Sequence, residues 1–285
     1  MALITSRNGI YPEKDGGGLR FLYRNFFGRL ILRALISCPV SKLCGNFMDS
    51  RASRFLIKSF VSNNNIDLND YEPADFKCFN DCFVRKIKSE LRPLDAPDTS
   101  LVSPCDGLLS AYTITGDEII PVKQSVYSVS ELLNDTALAQ HFVGGTCLVF
   151  RLCVHHYHRY SYPVSGTKGE NIFIPGKLHT VRPIALYSHP VFTQNCREYT
   201  VMESEKFGKL VQMEVGAMLV GKIKNHHGAG KCTRGDEKGM FLYGGSTVIL
   251  LLEKGIEIPE IFFENTKSGM ETPIKMNEEI GKGLC

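Results

Sequence analysis

Apolar residues in the first third of the chain recur at helical spacing. Over residues 76–91, phenylalanines and an isoleucine lie three or four positions apart, which predicts an amphipathic helix that Pro93 ends. Residues 51–61 predict another helix, and the polar run 63–70 predicts a loop. The N-terminal part of the chain is therefore expected to be helical.

From Val102 onward the pattern changes to short β-rich runs separated by glycine and proline. The predicted strands are residues 108–114, 119–122, 146–154, 171–174, 211–223 and 245–252, and in this part only residues 129–140 predict a helix. The expected fold class is α+β, with a helical N-terminal region followed by a mainly antiparallel β-sandwich or partly open barrel. We expect the boundary between an N-terminal region, 1–95, and a β-rich domain, 96–285.

Composition is that of a globular protein, with 43% hydrophobic and 22% charged residues. The net charge of +3 is unevenly distributed: ten Lys/Arg against three Asp/Glu give residues 1–60 a charge of +7, which leaves −4 for the remainder. Because the basic cluster is short and the rest of the chain is acidic, we expect no nucleic-acid partner.

Residues 19–37 mix phenylalanines, leucines and four arginines, a composition that suits an anionic membrane surface. On one straight helix the arginines would occupy two opposite faces, so a single polar face needs a break near Gly28. The alternative is an ordinary core-packing helix with solvated arginines.

Targeting signals are not evident in this sequence. The polar, Gly-rich residues 1–18 predict no signal peptide, and the longest apolar runs, such as residues 248–252, fall far short of the roughly 20 residues that a bilayer requires. We therefore expect no transmembrane helix, a cytoplasmic setting and reduced thiols for the ten cysteines.

A first candidate for chemistry is the run Gly244-Gly245-Ser246-Thr247, which directly precedes an apolar strand. Two glycines remove side-chain obstruction and permit positive φ, so the carbonyl of Gly245 can bend toward the hydroxyl of Ser246. A plain turn at the entry to a strand has the same composition and remains the alternative.

The turn 103–107 places Asp106 at the start of a predicted strand. A carboxylate held there can orient a base or receive a proton. Asp followed by Gly in a Pro-containing stretch is also an ordinary turn signal.

Three histidines in four positions, His155, His156 and His158, form another candidate, because imidazole is both a general acid/base and a metal ligand. On an extended strand, His156 and His158 would share one face. The spacing to the nearby cysteines matches no usual zinc pattern, so we predict no metal site. The pair His226-His227 in a Gly-rich loop is expected to be solvated.

Three segments together resemble the pyruvoyl-dependent phosphatidylserine decarboxylase family, in particular its bacterial second class with a Gly-Gly-Ser-Thr cleavage motif. They are the Ser-Pro-x-Asp-Gly of residues 103–107, the Tyr-His-Arg of residues 157–159, and RGDEKGMFLYGGSTVIL over residues 234–250. Residues 79–93, 195–199 and 213–221 add supporting similarity. The resemblance extends from about Phe76 to the C-terminus, and the motifs are specific through their order and spacing.

The resemblance implies a proenzyme that cleaves itself between Gly245 and Ser246 into a β chain, 1–245, and an α chain, 246–285. Ser246 would become a covalent pyruvoyl cofactor that forms a Schiff base with the serine amine of phosphatidylserine and acts as an electron sink. The products would be phosphatidylethanolamine and carbon dioxide. Together with the absence of a predicted signal peptide and transmembrane helix, the resemblance implies a peripheral position on the cytoplasmic face of the cell membrane.

The catalytic residues implied by the resemblance are Ser246, Asp106 and His158. The family's second histidine position holds Ser161 here, and His156 stands where an aspartate is common, which puts the base for self-cleavage in question. Either His158 serves both self-cleavage and decarboxylation, or His155 or His156 takes the vacant position, or cleavage is slow or lost. We favour the first.

Two alternative functions remain open. One is an uncleaved, non-catalytic lipid-binding relative; the other is a serine hydrolase using Ser246, for which the Gly-x-Ser-x-Gly elbow is lacking. Lys123 and Arg234 are candidate phosphate partners, with a solvated surface role as the alternative for each. The phenylalanines of residues 76–83 are expected to pack in the core or against a second copy of the chain, which leaves a homodimer open.

Overall fold

A computed structural model describes residues 3–6, 9–12, 16–115, 119–122, 125–186, 190–217, 222–243 and 246–283. The N-terminal helices are followed by antiparallel sheets, and the described strands form no closed barrel, so the α+β prediction is confirmed. The α-helices of these residues are α1 (Gly17–Arg24), α2 (Phe26–Leu35), α3 (Cys38–Met48), α4 (Phe55–Asn63), α5 (Phe79–Phe83), α6 (Val129–Leu133), α7 (Thr136–Gln140), α8 (Pro183–Leu186), α9 (Val191–Gln194) and α10 (Glu260–Lys267). Short 3-10 turns lie at Arg51–Arg54, Leu68–Asp70 and Ser89–Leu91.

The strands are short and most of them fall in the second half of the chain. They are β1 (Leu3–Ser6), β2 (Gly9–Pro12), β3 (Ser100–Val102), β4 (Gly107–Thr113), β5 (Ile119–Val122), β6 (Ser125–Ser128), β7 (Thr146–Leu152), β8 (Arg159–Ser161), β9 (Gly166–Lys168), β10 (Ile172–Ile174), β11 (Arg197–Ser204), β12 (Gly208–Val215), β13 (Ile223–Asn225), β14 (Gly230–Cys232), β15 (Glu237–Phe241), β16 (Ser246–Leu252), β17 (Met270–Ile274) and β18 (Glu279–Lys282).

The main sheet has the strand order β14-β9-β11-β12-β16-β7-β4-β17-β1-β2, with β10 pairing to β11. Its neighbouring strands are antiparallel except for the parallel pair β1 and β17. Smaller sheets are β13-β15-β8, β18-β3 and β5-β6. Strand β16 therefore lies in the interior of the main sheet, with Ser246 opposite Leu152 of β7.

Apolar layers cover both faces of the main sheet. Ile249 and Leu251 belong to the cluster that packs under α6, α7 and α9, whereas Val248 and Leu250 face a cluster that includes the β8 and β15 side chains. Because both faces are covered, all residues of β16 are buried and the strand is a continuous apolar run after Thr247. This burial carries Ser246, its first residue, into the protein interior.

The predicted helix over residues 76–91 is wrong in its length. Only Phe79–Phe83 is helical; Asp81 caps its start, and the chain beyond Val84 turns until Ile87 bridges to Tyr71. The phenylalanines do not line one face of a long helix but belong to a compact cluster of aromatic side chains. Tertiary packing has overridden a periodicity that is too short to hold a helix alone.

Two other predicted elements differ from the expectation, one by an interruption and one by its length. The helix over residues 129–140 is split in two, because Asn134 adopts a left-handed conformation with φ of 52° and Asp135 caps α7 by accepting from the Leu138 amide at 2.9 Å. The strand over residues 146–154 ends at Leu152, where residues 153–156 form a turn. The histidines that follow are therefore not on a strand, and the expectation that His156 and His158 share a strand face is wrong.

The N-terminal basic segment is divided at Asn25, three residues before the predicted break. The Asn25 side chain accepts from the Phe27 amide at 3.0 Å and caps α2. Gly28 lies where α2 meets α1, and a Cβ atom there would be 2.0 Å from the carbonyl oxygen of Phe21. Within the described residues, a span long and apolar enough to cross a membrane is found only when α2 and α3 are joined across a bend of 68°.

Candidate active site

Ser246 and His158 meet in the interior of the protein. The Ser246 Oγ lies 3.3 Å from His158 Nδ1, and neither residue is accessible to solvent. On the other side of the imidazole, Nε2 lies 3.1 Å from the carbonyl oxygen of Cys153. Because a carbonyl only accepts, Nε2 carries the proton and Nδ1 presents its lone pair to the serine hydroxyl. The pair is arranged as a nucleophile and its general base.

Burial keeps this imidazole neutral. Desolvation, reinforced by the nearby Arg85 guanidinium, lowers the pKa of His158 to about 3, well below its ordinary value of 6.5. The ring of Phe83 stacks on the imidazole with a centroid distance of 4.1 Å and an angle of 26°. His158 is therefore a base whose lone pair is available throughout the physiological pH range.

The turn at residues 153–156 fixes the position of His158. The amide of Cys153 donates to His156 Nδ1 at 3.0 Å, and the amide of His156 donates to the Cys153 carbonyl at 2.9 Å. Burial lowers the pKa of His156 well below its ordinary value. His155 is exposed, with its ring 4.4 Å from that of His156. The described contact of His156 is thus with the turn itself.

Asp106 lies at the start of β4 and pairs with Arg92. The Arg92 Nε donates to Asp106 Oδ1 at 2.7 Å, a second guanidinium nitrogen donates to Oδ2, and the amide of Met276 donates to Oδ1 at 3.0 Å. His158 is not among the hydrogen-bond partners that the described residues give this carboxylate. Sequence reasoning missed Arg92, although it falls within the supporting segment 79–93.

Ser161 packs against the turn that carries Asp106. Its amide and its hydroxyl both donate to the carbonyl of Pro104, at 2.8 and 3.3 Å. The Gln212 side chain donates to the Ser161 carbonyl at 3.3 Å. The structure therefore brings Ser161 close to the Asp106 turn and brings His158, not Ser161, to Ser246.

An aromatic cluster connects α5 to the residues that precede Ser246. The ring of Tyr243 meets Phe79 and Phe83 edge-on, at centroid distances of 4.8 and 5.5 Å, and its amide donates to Asn80 Oδ1 at 3.1 Å. Gly244 and Gly245 lie outside the described residues. Phe79 and Phe83 are buried, as expected for core residues, yet their contacts with His158 and Tyr243 could not be inferred from their spacing.

A buried ion pair lies on the same sheet face as Ser246. Glu214 of β12 is opposite Val248, two residues beyond Ser246, and both of its carboxylate oxygens accept from Lys238 Nζ, at 2.8 and 2.7 Å. Lys238 also donates to Asn225 Oδ1 at 2.9 Å, and neither side chain of the pair is accessible to solvent. This charged network forms part of the polar surroundings of the site.

The other singled-out residues lie elsewhere. Arg234 is buried and donates to the carbonyls of Ala96 and Ser100, so the alternative of a solvated surface role is wrong and its guanidinium holds the segment ahead of β3. His226 and His227 are exposed as expected, and His226 Nε2 lies 2.7 Å from a Glu237 oxygen. Lys123 lies outside the described residues. The part of the chain that the structure describes contains no group of three metal-ligating side chains.

Comparison with known proteins shows the family to which this chain belongs. The model of the family described as phosphatidylserine decarboxylase matches residues 79–282. "Phosphatidylserine decarboxylase proenzyme 2" of Clostridium acetobutylicum is 43% identical over 277 residues, covering 96% of this chain and 95% of that protein. "Phosphatidylserine decarboxylase proenzyme" of Clostridium perfringens is 40% identical over 289 residues, covering 98% of each chain. The corresponding Clostridium botulinum protein is 40% identical over 285 residues.

Proposed function

Since the chain belongs to the phosphatidylserine decarboxylase family, we propose that it converts phosphatidylserine to phosphatidylethanolamine and carbon dioxide after cleaving itself between Gly245 and Ser246. The observation that carries the proposal is the buried 3.3 Å contact between the Ser246 hydroxyl and His158 Nδ1. The Gly-Gly-Ser-Thr sequence that precedes the apolar part of β16 supports it further.

In the proposed self-cleavage, Ser246 Oγ attacks the carbonyl carbon of Gly245. His158 Nδ1 takes the hydroxyl proton and passes it to the Ser246 nitrogen, so the C–N bond breaks as the C–O bond forms and an ester results. Loss of the Ser246 Cα proton then expels the Gly245 carboxylate and leaves dehydroalanine. Tautomerisation and hydrolysis release ammonia, so the net reaction consumes one water and yields chains 1–245 and 246–285.

The residues around Ser246 fit the pyruvoyl group that this sequence of steps leaves. Its carbon atoms are those of Ser246 itself, and the pairing of β16 with both neighbours keeps them beside His158. A pyruvoyl ketone supplies the electron sink for decarboxylation. We propose that His158 serves both stages, first moving the proton of the hydroxyl and then holding a proton near the reacting carbon.

We propose Asp106 as a positioning residue. With Arg92 and the Met276 amide it holds the 103–107 turn in place, and this turn in turn supports Ser161. The orienting partner of the imidazole is the Cys153 carbonyl, which fixes the ring and its tautomer as a carboxylate does in a serine-protease triad, without adding a negative charge. The proposed base therefore does not depend on a histidine at position 161.

We further propose that residues 1–95 place the enzyme on the cytoplasmic face of the membrane and that residues 96–285 carry the chemistry. Phe26 and Phe27 of α2 are 63% and 69% exposed, and the arginines of α1 and α2 are exposed beside them. Exposed aromatic rings next to cations suit the interface of an anionic bilayer. A membrane that contains phosphatidylserine is such a bilayer. A homodimer remains an expectation.

A denaturing intact-mass spectrum of the purified protein tests the proposal directly. We expect two chains, 1–245 and 246–285, with the smaller one lighter by one ammonia than the unmodified peptide. In a separate activity assay we expect release of carbon dioxide from phosphatidylserine. Ser246→Ala is the control and should remain a single inactive chain. A single uncut wild-type chain would favour the non-catalytic lipid-binding alternative, and a reactive Ser246 in an uncut chain would favour the hydrolase.

A further inference from the structure

A cavity of about 460 Å³ lies between α3, the segment after β10 and Tyr243. Its wall includes Asn80 and Tyr243, which are hydrogen-bonded to each other through the Tyr243 amide. Ring contacts connect this wall to the proposed nucleophile, because the Tyr243 ring meets Phe83 edge-on and the Phe83 ring stacks on His158. The cavity thus shares Tyr243 with the aromatic cluster at His158 and does not contain Ser246.

The polar groups on the cavity wall are suited to an anion. Lys42 and Lys222 line it, both are exposed, and within the described parts of the chain neither ammonium has an ion-pair or hydrogen-bond partner. Ser41 also lines the cavity, but its hydroxyl oxygen is buried within the protein, so the lysine ammonium groups are the cationic donors of this wall.

The charges of the cavity complement those of the substrate headgroup. Two lysines and Asp49 line it, for a sum of +1, and Asp49 already accepts from the Asn80 amide group at 2.6 Å. Phosphatidylserine carries a phosphate, a carboxylate and an ammonium, for a sum of −1. The two ammonium groups are donors of the kind that bind phosphate oxygens.

Exposed apolar side chains lie on the cavity wall or next to its lining residues. Phe173 lines the cavity and is 56% exposed, and Leu43 and Phe47 of α3 are 72% and 41% exposed. Leu43 and Phe47 follow the lining residues Lys42 and Asn46 in sequence, and the three side chains together are called the apolar rim. The volume accommodates a glycerophosphoserine group but not two long acyl chains, which would remain along the apolar rim and in the bilayer.

We propose that this cavity binds the glycerophosphate of phosphatidylserine, with Lys42 and Lys222 as the phosphate donors and the acyl chains left outside. The inference rests on the proposed function and deepens it, because it assigns a substrate subsite next to Ser246. The lipid then needs to rise from the membrane only by the depth of its headgroup. The serine amine enters from the side of Tyr243.

The test compares Lys42→Gln/Lys222→Gln with the matched control Lys58→Gln, which removes an exposed charge on α4 outside the cavity. The assay uses phosphatidylserine at low fraction in neutral detergent micelles. The KM of the double variant should be higher than that of the wild type by about tenfold or more for each of the two lost contacts, while self-cleavage is unchanged. Lys58→Gln should leave KM as in the wild type.

Binding is measured separately with the uncut Ser246→Ala protein and dihexanoyl phosphatidylserine, with glycerophosphoserine and inorganic phosphate as competitors. Weaker binding by the two lysine changes, and displacement by glycerophosphoserine at far lower concentration than by phosphate, would support the subsite. If the wild type never cleaves yet this binding pattern holds, the subsite stands and the proposed function fails. If the enzyme is active and the double variant keeps the wild-type KM, the subsite is refuted and the proposed function stands.

Discussion

The depressed pKa of His158 makes a sharp prediction about the pH dependence of self-cleavage. With a pKa of about 3, about 99% of His158 is neutral at pH 5, whereas an ordinary histidine with a pKa of about 6.5 would be only about 3% neutral. If His158 is the base, the rate at pH 5 should therefore stay close to the rate at pH 7.5. An exposed histidine acting as the base, such as His155, would cut the rate about thirtyfold over the same range.

Newly made proenzyme allows this to be measured. The protein is produced by cell-free translation with a short radioactive pulse, transferred to buffers from pH 5 to 8, and sampled for loss of the uncut chain. Ser246→Ala gives the uncut reference, and His158→Gln should abolish cleavage at every pH. A rate that falls with a midpoint near pH 6.5 while the chain remains folded would refute the assignment of His158 as the base.

Stability must be followed in the same buffers, because it changes with pH for the same reason. The folded-state pKa of His158 lies below that of the unfolded chain, so below about pH 6.5 the unfolded chain binds a proton that the folded chain does not. The contribution of this histidine is present above that pH and is lost at about 1.4 kcal/mol per pH unit down to about pH 3. The free energy of unfolding is measured by urea titration at each pH. For Ser246→Ala it should fall with pH in this way, whereas for Ser246→Ala/His158→Gln this part of the pH dependence should be absent.

Other predictions address the remaining parts of the site. Ser161→His should leave the cleavage rate unchanged in the cell-free assay. Faster cleavage would favour the alternative that self-cleavage lacks the family's second histidine at position 161. Lys238→Met should lower the free energy of unfolding of Ser246→Ala by about 3–5 kcal/mol by leaving Glu214 buried and unpaired, and adding Glu214→Leu should restore most of it. After cleavage, the two chains should co-elute in gel filtration and separate only in denaturant, because β16 is paired on both sides. Phe26→Ser/Phe27→Ser should reduce co-sedimentation with phosphatidylserine vesicles without slowing cleavage. Co-sedimentation equal to that of the wild type would contradict the proposed membrane contact.

The sequence was most informative where the environment of a segment is uniform. The runs that became β4, β7 and β16 are apolar because both faces of the main sheet are covered, so their pattern alone predicts buried strands. It failed for residues 76–91, where the phenylalanines pack against partners distant in sequence, such as Tyr243. Periodicity records which residues are apolar, but not which distant residue covers them.

The sequence motifs singled out two side chains that lie in contact, and the catalytic role of these two residues stays a prediction. The motifs indicated Ser246 and His158, and the structure brings these two side chains together. Neither the Cys153 carbonyl nor the Phe83 ring could be identified from sequence, because a backbone acceptor leaves no residue signature and a stacked phenylalanine resembles any core residue. Asp106 was expected beside the base, yet its contacts are with Arg92 and Met276.

Both flanks of the proposed cleavage point are held in place by contacts that do not depend on the peptide bond between Gly245 and Ser246. On one side, β16 begins with Ser246 and is hydrogen-bonded along its length to β7 and β12. On the other, Tyr243 is fixed by the Asn80 side chain and by the α5 rings. Cutting the bond therefore leaves the new N-terminus of the α chain beside His158 and leaves Tyr243 on the wall of the cavity.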